Sequence, residues 1–311
     1  MPKSMKNMLL LAKKHVTAGV DPVPTPALNA ILARGMTPQM LNADFVDRNN
    51  IRGYKGNFGK LAVGVHREFE CEVELAGSGA AGTAPAWGPL LQACGFSETL
   101  LASTSATYAP VSSGEPTVAM YGYIDGVLFK MLDSKGTVSF ELNAKQIPVM
   151  KFKFIGEYQI GMDVAFPTTQ VFTAFQKPLT VGKINTPTFS MFGLAAVCES
   201  LSFDVANNVV YRDLIGASGA YSSDRQPSGS ATIELPTIAA ANFGELARIG
   251  TEGALQVIHG TTAGNIIQID APKIQLTGSP SINNANEIAM LGLQYSLNPN
   301  AGNDEMIIVA R

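Results

Sequence analysis

Residues 66–75 read HREFECEVEL, in which Glu68, Glu70, Glu72 and Glu74 alternate with Phe69, Cys71, Val73 and Leu75. Alternation at period two sends the carboxylates to one face of a strand and the apolar side chains to the other. The product is a row of negative charge on an open face. Glu141, among Thr137, Ser139 and Asn143, and Glu234, after Ser230 and Thr232, carry weaker versions of the pattern. A second group is cationic and aromatic. Arg52, Tyr54, Lys55, Phe58 and Lys60 lie among glycines in NNIRGYKGNFGKLA, residues 49–62, a composition suited to an adaptable protein interface.

Catalytic signatures are missing. The run Gly77-Ser78-Gly79-Ala80-Ala81-Gly82 imitates a dinucleotide-binding loop. Pro85 and Trp87 interrupt the helix that should follow, however, and no parallel strand–helix–strand pattern comes after it. A plain loop is the better reading. The sequence contains no GxSxG, Walker A or HExxH. His15, His66 and His259 are scattered, and Cys71, Cys94 and Cys198 form no CxxC pair. Buried free thiols are expected. No enzymatic activity, cofactor or metal is predicted.

The chain has 311 residues, which at ~150 residues per domain suggests about two domains. Charged residues make up 15%, against ~25% in an average soluble domain, and that bias favours surfaces that become covered by assembly. The formal net charge is −3, so no basic excess exists for tight binding to nucleic acid. No apolar run approaches the ~18 residues of a membrane-spanning helix. The apolar stretch at residues 8–12 ends at Lys13 and Lys14, short of the ~7–15 residues of a signal peptide. No membrane association is predicted.

The elements that must position these residues are mostly strands. Residues 1–44 read as an N-terminal arm, in which Lys3, Lys6, Lys13, Lys14 and Arg34 face only Asp21 and Asp44. Residues 4–15 suit one short helix. Pro22, Pro24 and Pro26 hold the next segment extended. Trp87, Leu90, Leu91 and Cys94 fall on one face of a helix, with Pro85 or Pro89 in its first turn and Gly95 at its stop. Residues 97–116, rich in Ser, Thr, Pro and Gly, suggest a long loop. Asp125-Gly126, between two apolar runs, is a hairpin signal.

The second half repeats the first. Residues 46–51 (VDRNNI) match 210–215 (VYRDLI), EVEL at 72–75 matches TIEL at 232–235, and WGPL at 87–90 matches FGEL at 243–246. Gly126 then matches Gly253, Gly136 matches Gly264, and Ile147-Pro148 matches Ala271-Pro272. The final strand of the second copy is either 272–278 or 288–297. The expected division is therefore an arm at 1–44, a first copy at 45–180 with an insertion near 97–116, and a second copy at 181–311.

Asp21-Pro22-Val23-Pro24-Thr25, then Val46-Asp47-Arg48, then GTAPAWGPLLQACGF at 82–96 resemble the major tail tube proteins of long-tailed bacteriophages. The resemblance is strongest over about residues 15–160. It implies a mainly β fold with some helix (α+β): two tandem tail-tube-type β-sandwich or half-barrel domains, each with a flanking helix. It also implies a structural virion protein that polymerises as stacked rings into the tail tube through which genome DNA is ejected. Rings of this family are usually sixfold, so a duplicated chain implies a trimeric ring with pseudo-sixfold symmetry. Tail terminator, tail tip and tape measure proteins are the implied partners, with assembly in the host cytoplasm and residence in the virion tail. Under this resemblance Glu68, Glu70, Glu72, Glu74, Glu141 and Glu234 become candidates for a lumen wall that repels phosphates. Arg52, Tyr54, Lys55, Phe58 and Lys60 become candidates for ring-to-ring contact. The competing readings are the inner tube of a contractile tail or injection machine, and a β-sandwich binding or adhesin module. The second lacks clustered exposed aromatics, since Trp87 is the only tryptophan.

Overall fold

The computed structural model describes residues 2–311. The first half runs β1 (Met8–Lys14), α1 (Pro26–Asn29), β2 (Ala30–Ile31), β3 (Ala33–Pro38), β4 (Asn42–Asp47), β5 (Lys60–Glu74) and α2 (Gly88–Ala93). It continues with β6 (Phe96–Leu101), β7 (Ser105–Pro110), β8 (Val118–Ile124), β9 (Val127–Asn143), β10 (Val149–Tyr158) and β11 (Met162–Asp163). The second half opens with β12 (Thr188–Met191), β13 (Cys198–Asp204), β14 (Asn207–Leu214), β15 (Ala217–Arg225) and β16 (Ser228–Glu234). Then come α3 (Phe243–Ile249), β17 (Glu252–His259), β18 (Ile267–Leu276), β19 (Ser281–Ala285), β20 (Ile288–Asn298) and β21 (Ile307–Ala310). The fold is mainly β with a little helix.

Pairing runs in the same order through both halves. In the first, β3 pairs β5, β5 pairs β10, β10 pairs β9, β9 pairs β8 and β8 pairs β1, all antiparallel. In the second, β13, β16, β20, β18, β17 and β12 join in the same succession. The unbroken β9 corresponds to β18 plus β19, which both lie on β20. The hairpin β4–β5 corresponds to β14–β15.

The two halves join where the C-terminal part of β9 pairs β13, from Asn143 opposite Ser200 to Ser139 opposite Asp204. They join again where β21 inserts between β18 and β7. The Gly77–Gly82 loop makes a third junction. Gly79 N–H donates to Gly264 O at 2.9 Å and Gly77 N–H to Asn265 Oδ1 at 2.8 Å. The glycines are needed because a Cβ on Gly77 would lie 2.1 Å from Gly264 O. One apolar core draws on both halves, with Phe69, Trp87 and Phe154 alongside Phe203, Ile233 and Tyr295.

Local chemistry explains several elements. Asp125 and Gly126 both take positive φ, at 44° and 85°, as a tight two-residue hairpin turn requires. Trp87, Leu90, Leu91 and Cys94 are all buried at the start, middle and end of α2, and Trp87 Nε1 donates to Ala76 O at 2.9 Å. Gly95 follows with φ of 83°. α3 is capped by Asn242, whose side chain accepts from Glu245 N–H, and by Gly250 in the left-handed region.

Three sequence expectations are corrected. Residues 8–14 form a strand, not a helix, and they do not belong to a free arm: β1 pairs β8 along its whole length and Leu9, Leu10, Leu11 and Ala12 are all buried. A short apolar run buried on both sides has no periodicity with which to distinguish strand from helix. Residues 97–116 are largely the hairpin β6–β7, held by pairing to β21 near the far end of the chain, which local composition does not encode. The last three repeat anchors are also misplaced. By strand pairing Gly253 sits where Val118 sits, each at the start of the strand beside β18 or β9. Strand β20, at 288–298, is the counterpart of β10. The first three anchors fall on corresponding elements, to within one residue.

Candidate functional site

Strand alternation gives the sheet β3–β5–β10–β9–β13–β16–β20 one apolar and one polar face. Phe140 and Leu142 of β9 lie opposite Phe203 and Leu201 of β13, and all four are buried on the core side. Ser139 and Glu141 lie opposite Asp204 and Ser202 on the other side, so the polar face continues across the joint between the halves. That face is concave. Two adjoining hollows of about 420 Å³ and about 530 Å³ share Ser139 and Asp204. Thr37, Glu70, Glu72, Thr137, Lys151 and Lys153 line the first. Glu141, Ser202, Ser228, Ser230 and Gln294 line the second. The large apolar residues at these hollows, Met36, Phe152, Phe140, Phe203 and Tyr295, are buried beneath the sheet, so hydroxyls and charged groups supply the wetted surface.

The carboxylate row is not bare. β10 sets Lys151 opposite Glu72 and Lys153 opposite Glu70. Lys153 Nζ lies 3.2 Å from Glu68 and 3.6 Å from Glu70, and Lys151 Nζ lies 2.5 Å from Glu141. Arg34 reaches Glu72 at 3.2 Å. The hydrogen bond and charge of Glu68, with a smaller contribution from Glu70, hold the Lys153 ammonium above its ordinary pKa. All of these groups but the buried Glu68 are partly exposed, and such pairs contribute ~0–1 kcal/mol each. Their larger effect is to moderate the field. Acids still outnumber bases once Glu74, Asp204 and Glu234 are included.

The residues singled out from the sequence are placed unevenly. Glu70 is exposed and Glu72, Glu74 and Glu141 are half-buried on the concave face, while Glu234 is exposed at the end of β16. Glu68 departs from the expected open position: it is buried, accepts from Asn42 Nδ2 at 2.7 Å, and lies 3.7 Å from His66. The hairpin β14–β15 explains the covering, because Tyr211 stacks on His66 with centroids 5.1 Å apart. Lys151, Lys153, Ser202, Asp204 and Gln294 were not singled out from the sequence. The signal was present in the alternation of KFKF at 151–154, SLSFD at 200–204 and LGLQYSL at 291–297.

The cationic and aromatic group forms a knot between β4 and β5. Arg52 lies 4.0 Å from the centroid of Phe58 and 4.6 Å from that of Tyr54, and Arg52 Nη2 donates to Asn57 O at 3.0 Å. Lys60 pairs with Asp47 at 3.1 Å, and Tyr54 and Lys55 are exposed. The tip is thus self-packed, with Ile51 fully exposed beside it. Among the described residues no group of His, Cys, Asp and Glu has the arrangement of a metal site. Burial pushes the Cys71 thiol up to about 12 and the Cys94 thiol well above its ordinary range. Neither is a poised nucleophile.

A family model described as phage tail tube protein matches residues 6–298. No curated protein gives a significant match.

Proposed function

The chain belongs to the phage tail tube proteins, a structural component of the virion tail, and from that premise we propose that the concave polar face lines the bore of the tube. The single observation that carries this reading is the continuity of that face: the row Glu72, Lys151, Ser139, Asp204, Ser228 and Ser296 passes from β5 to β20 across the β9–β13 joint with no apolar residue in it. We propose two tube domains, residues 8–163 and 188–310, that pack on one core. Three chains then supply six domains, giving a trimeric ring with pseudo-sixfold symmetry, and the rings stack into a tube that ends on tail terminator and tail tip proteins and encloses the tape measure. Assembly takes place in the host cytoplasm.

The physical role of the wall follows from its composition. Excess carboxylates repel phosphates, and the cations of the wall are paired with carboxylates, so little release of counterions from the DNA rewards binding. At physiological salt a field decays over ~8 Å, so it acts close to the wall and leaves the axis nearly field-free. Lys151 and Lys153 limit the repulsion, and the hydroxyls of β13 and β16 keep neutral stretches hydrated. Genome DNA then passes without adhering. Arg52, Tyr54, Lys55, Phe58 and Lys60 are proposed to contact the next ring.

Accessibility in assembled tubes tests the placement. In tubes made from Gln294→Cys, a small maleimide modifies the new thiol, whereas a maleimide on a polymer too wide for the bore does not. Equal modification by both reagents, above the wild-type background, places this face outside and defeats the reading.

A further inference from the structure

Among the described residues two strands lack the partner that their counterparts have. β13 pairs β16 on one side and β9 on the other. Its counterpart β3 pairs β5 only. The C-terminal part of β9 pairs β10 and β13. Its counterpart β19 pairs β20 only. The chain therefore contains one completed joint between halves and the two separated sides of a second.

We infer that β19 of one copy pairs β3 of the next, antiparallel, in the register that β9 and β13 use within the chain. This rests on the tube reading and names its subunit interface. Matching the two halves by strand pairing equates Ser202 with Thr37, Phe203 with Pro38, Glu141 with Asn283 and Phe140 with Ile282. Within the chain Ser202 lies opposite Glu141 and Phe203 opposite Phe140. Between chains Thr37 then lies opposite Asn283, and Pro38 opposite Ile282. Side-chain chemistry agrees. Thr37 and Asn283 extend the polar wall. Ile282 occupies the core-side position where Phe140 is fully buried, yet it is 69% exposed in the single chain. An isoleucine on the core side of an open edge strand is an unfilled contact.

Pro38 moderates the joint. Gln39 N–H donates inward to Glu68 O, so the backbone nitrogen of Pro38 faces the open edge, where it has no hydrogen to give. Val205 N–H donates to Val138 O across the intrachain joint, which sets Phe203 among the residues that point toward β9. The joint between chains thus lacks one ladder bond that the intrachain joint has. A proline on an edge is a device against uncontrolled pairing. It leaves the free chain less adhesive than an open strand would be.

The hairpin β4–β5 adds area to the same joint. Its counterpart β14–β15 packs over β5, β9 and β10 across the intrachain joint. Phe45, Val46, Leu61 and Val63 on β4–β5 are exposed in the single chain, in position to cover the equivalent strands of the neighbouring copy.

Cysteine cross-linking of the full chain tests the register. Thr37 and Asn283 fall at a pair without ladder hydrogen bonds, where Cα atoms are ~4.5 Å apart and a disulfide fits. Tubes of the Thr37→Cys/Asn283→Cys chain under mild oxidant should give covalent multimers on a denaturing gel, and each single variant should give none. Thr37→Cys/Asn284→Cys, with its second thiol on the other face, should also give none. Tubes of the Thr37→Cys/Asn283→Cys chain that form as wild type does but give no cross-link would overturn this joint while leaving the tube reading intact. Failure of the wild-type chain to form rings or tubes would overturn both. Ile282→Glu supplies a readout without oxidation: the monomer should melt as wild type does, and assembly should be lost. Assembly of Ile282→Glu at the wild-type concentration would also overturn the joint.

Discussion

Lys153 lies opposite Glu70 and bridges to Glu68, so the concave wall carries alternating signs with an acidic surplus. Lys151→Gln with Lys153→Gln removes three pairs and should cost about 0–3 kcal/mol in stability, at ~0–1 kcal/mol per pair. Glu70→Lys with Glu72→Lys should make tubes retain duplex DNA, with retention falling as salt rises. Urea melts check the first, and electrophoretic retention measured across a salt series checks the second. His259 gives a pH prediction. It is buried, its Nδ1 lies 2.9 Å from Thr186 Oγ1, and desolvation lowers its pKa. The unfolded imidazole, near ~6.5, takes up protons before the folded one does. The contribution of His259 to stability is therefore full above about pH 6.5 and is lost as the pH falls below it. His259→Leu should flatten that limb in melting curves taken from pH 7.5 to 5, given about those limits. The glutamate row was legible in the sequence because alternation is local. The lysines opposite it belong to a strand more than seventy residues away, and only the register brings them together.

At the scale of elements, the loop at 77–82 fits tightly against the second half. Gly77 packs against Gly264 where a Cβ would meet carbonyl oxygen, so Gly77→Ala should cost about 1–3 kcal/mol through forced backbone shifts. Gly59 has open space and ordinary φ, and Gly59→Ala should leave the midpoint of a urea melt unchanged. Pro38→Ala restores a donor on the outer edge. At ~1 kcal/mol for one net hydrogen bond, the critical concentration for assembly should fall about fivefold. Light scattering against concentration measures it. Helix α2 and the Asp125-Gly126 turn were readable from residue types alone. β1 and the hairpin β6–β7 were not, since what decides them is β8 and β21, which come from distant parts of the chain. The glycine loop at 77–82 was rightly read as a loop, but its use as a joint between halves depends on Gly264 and Asn265.

At the scale of the whole molecule, the chain is a doubled pairing pattern with one joint made inside and the sides of another left open. Sequence repetition was visible where the first three anchors fall on corresponding elements. It faded after the helices, where the first half inserts β6–β7 and the second half breaks the long hairpin strand into β18 and β19. Cryo-electron microscopy of tubes assembled from the full chain, with helical averaging, tests the central claim most directly. The expected result is three chains and six lobes per ring, with Glu70, Lys153, Ser202 and Gln294 on the wall of the bore. Tubes in which those residues lie on the outer surface, or a chain that stays monomeric even when offered tail tips as nucleators, would contradict it.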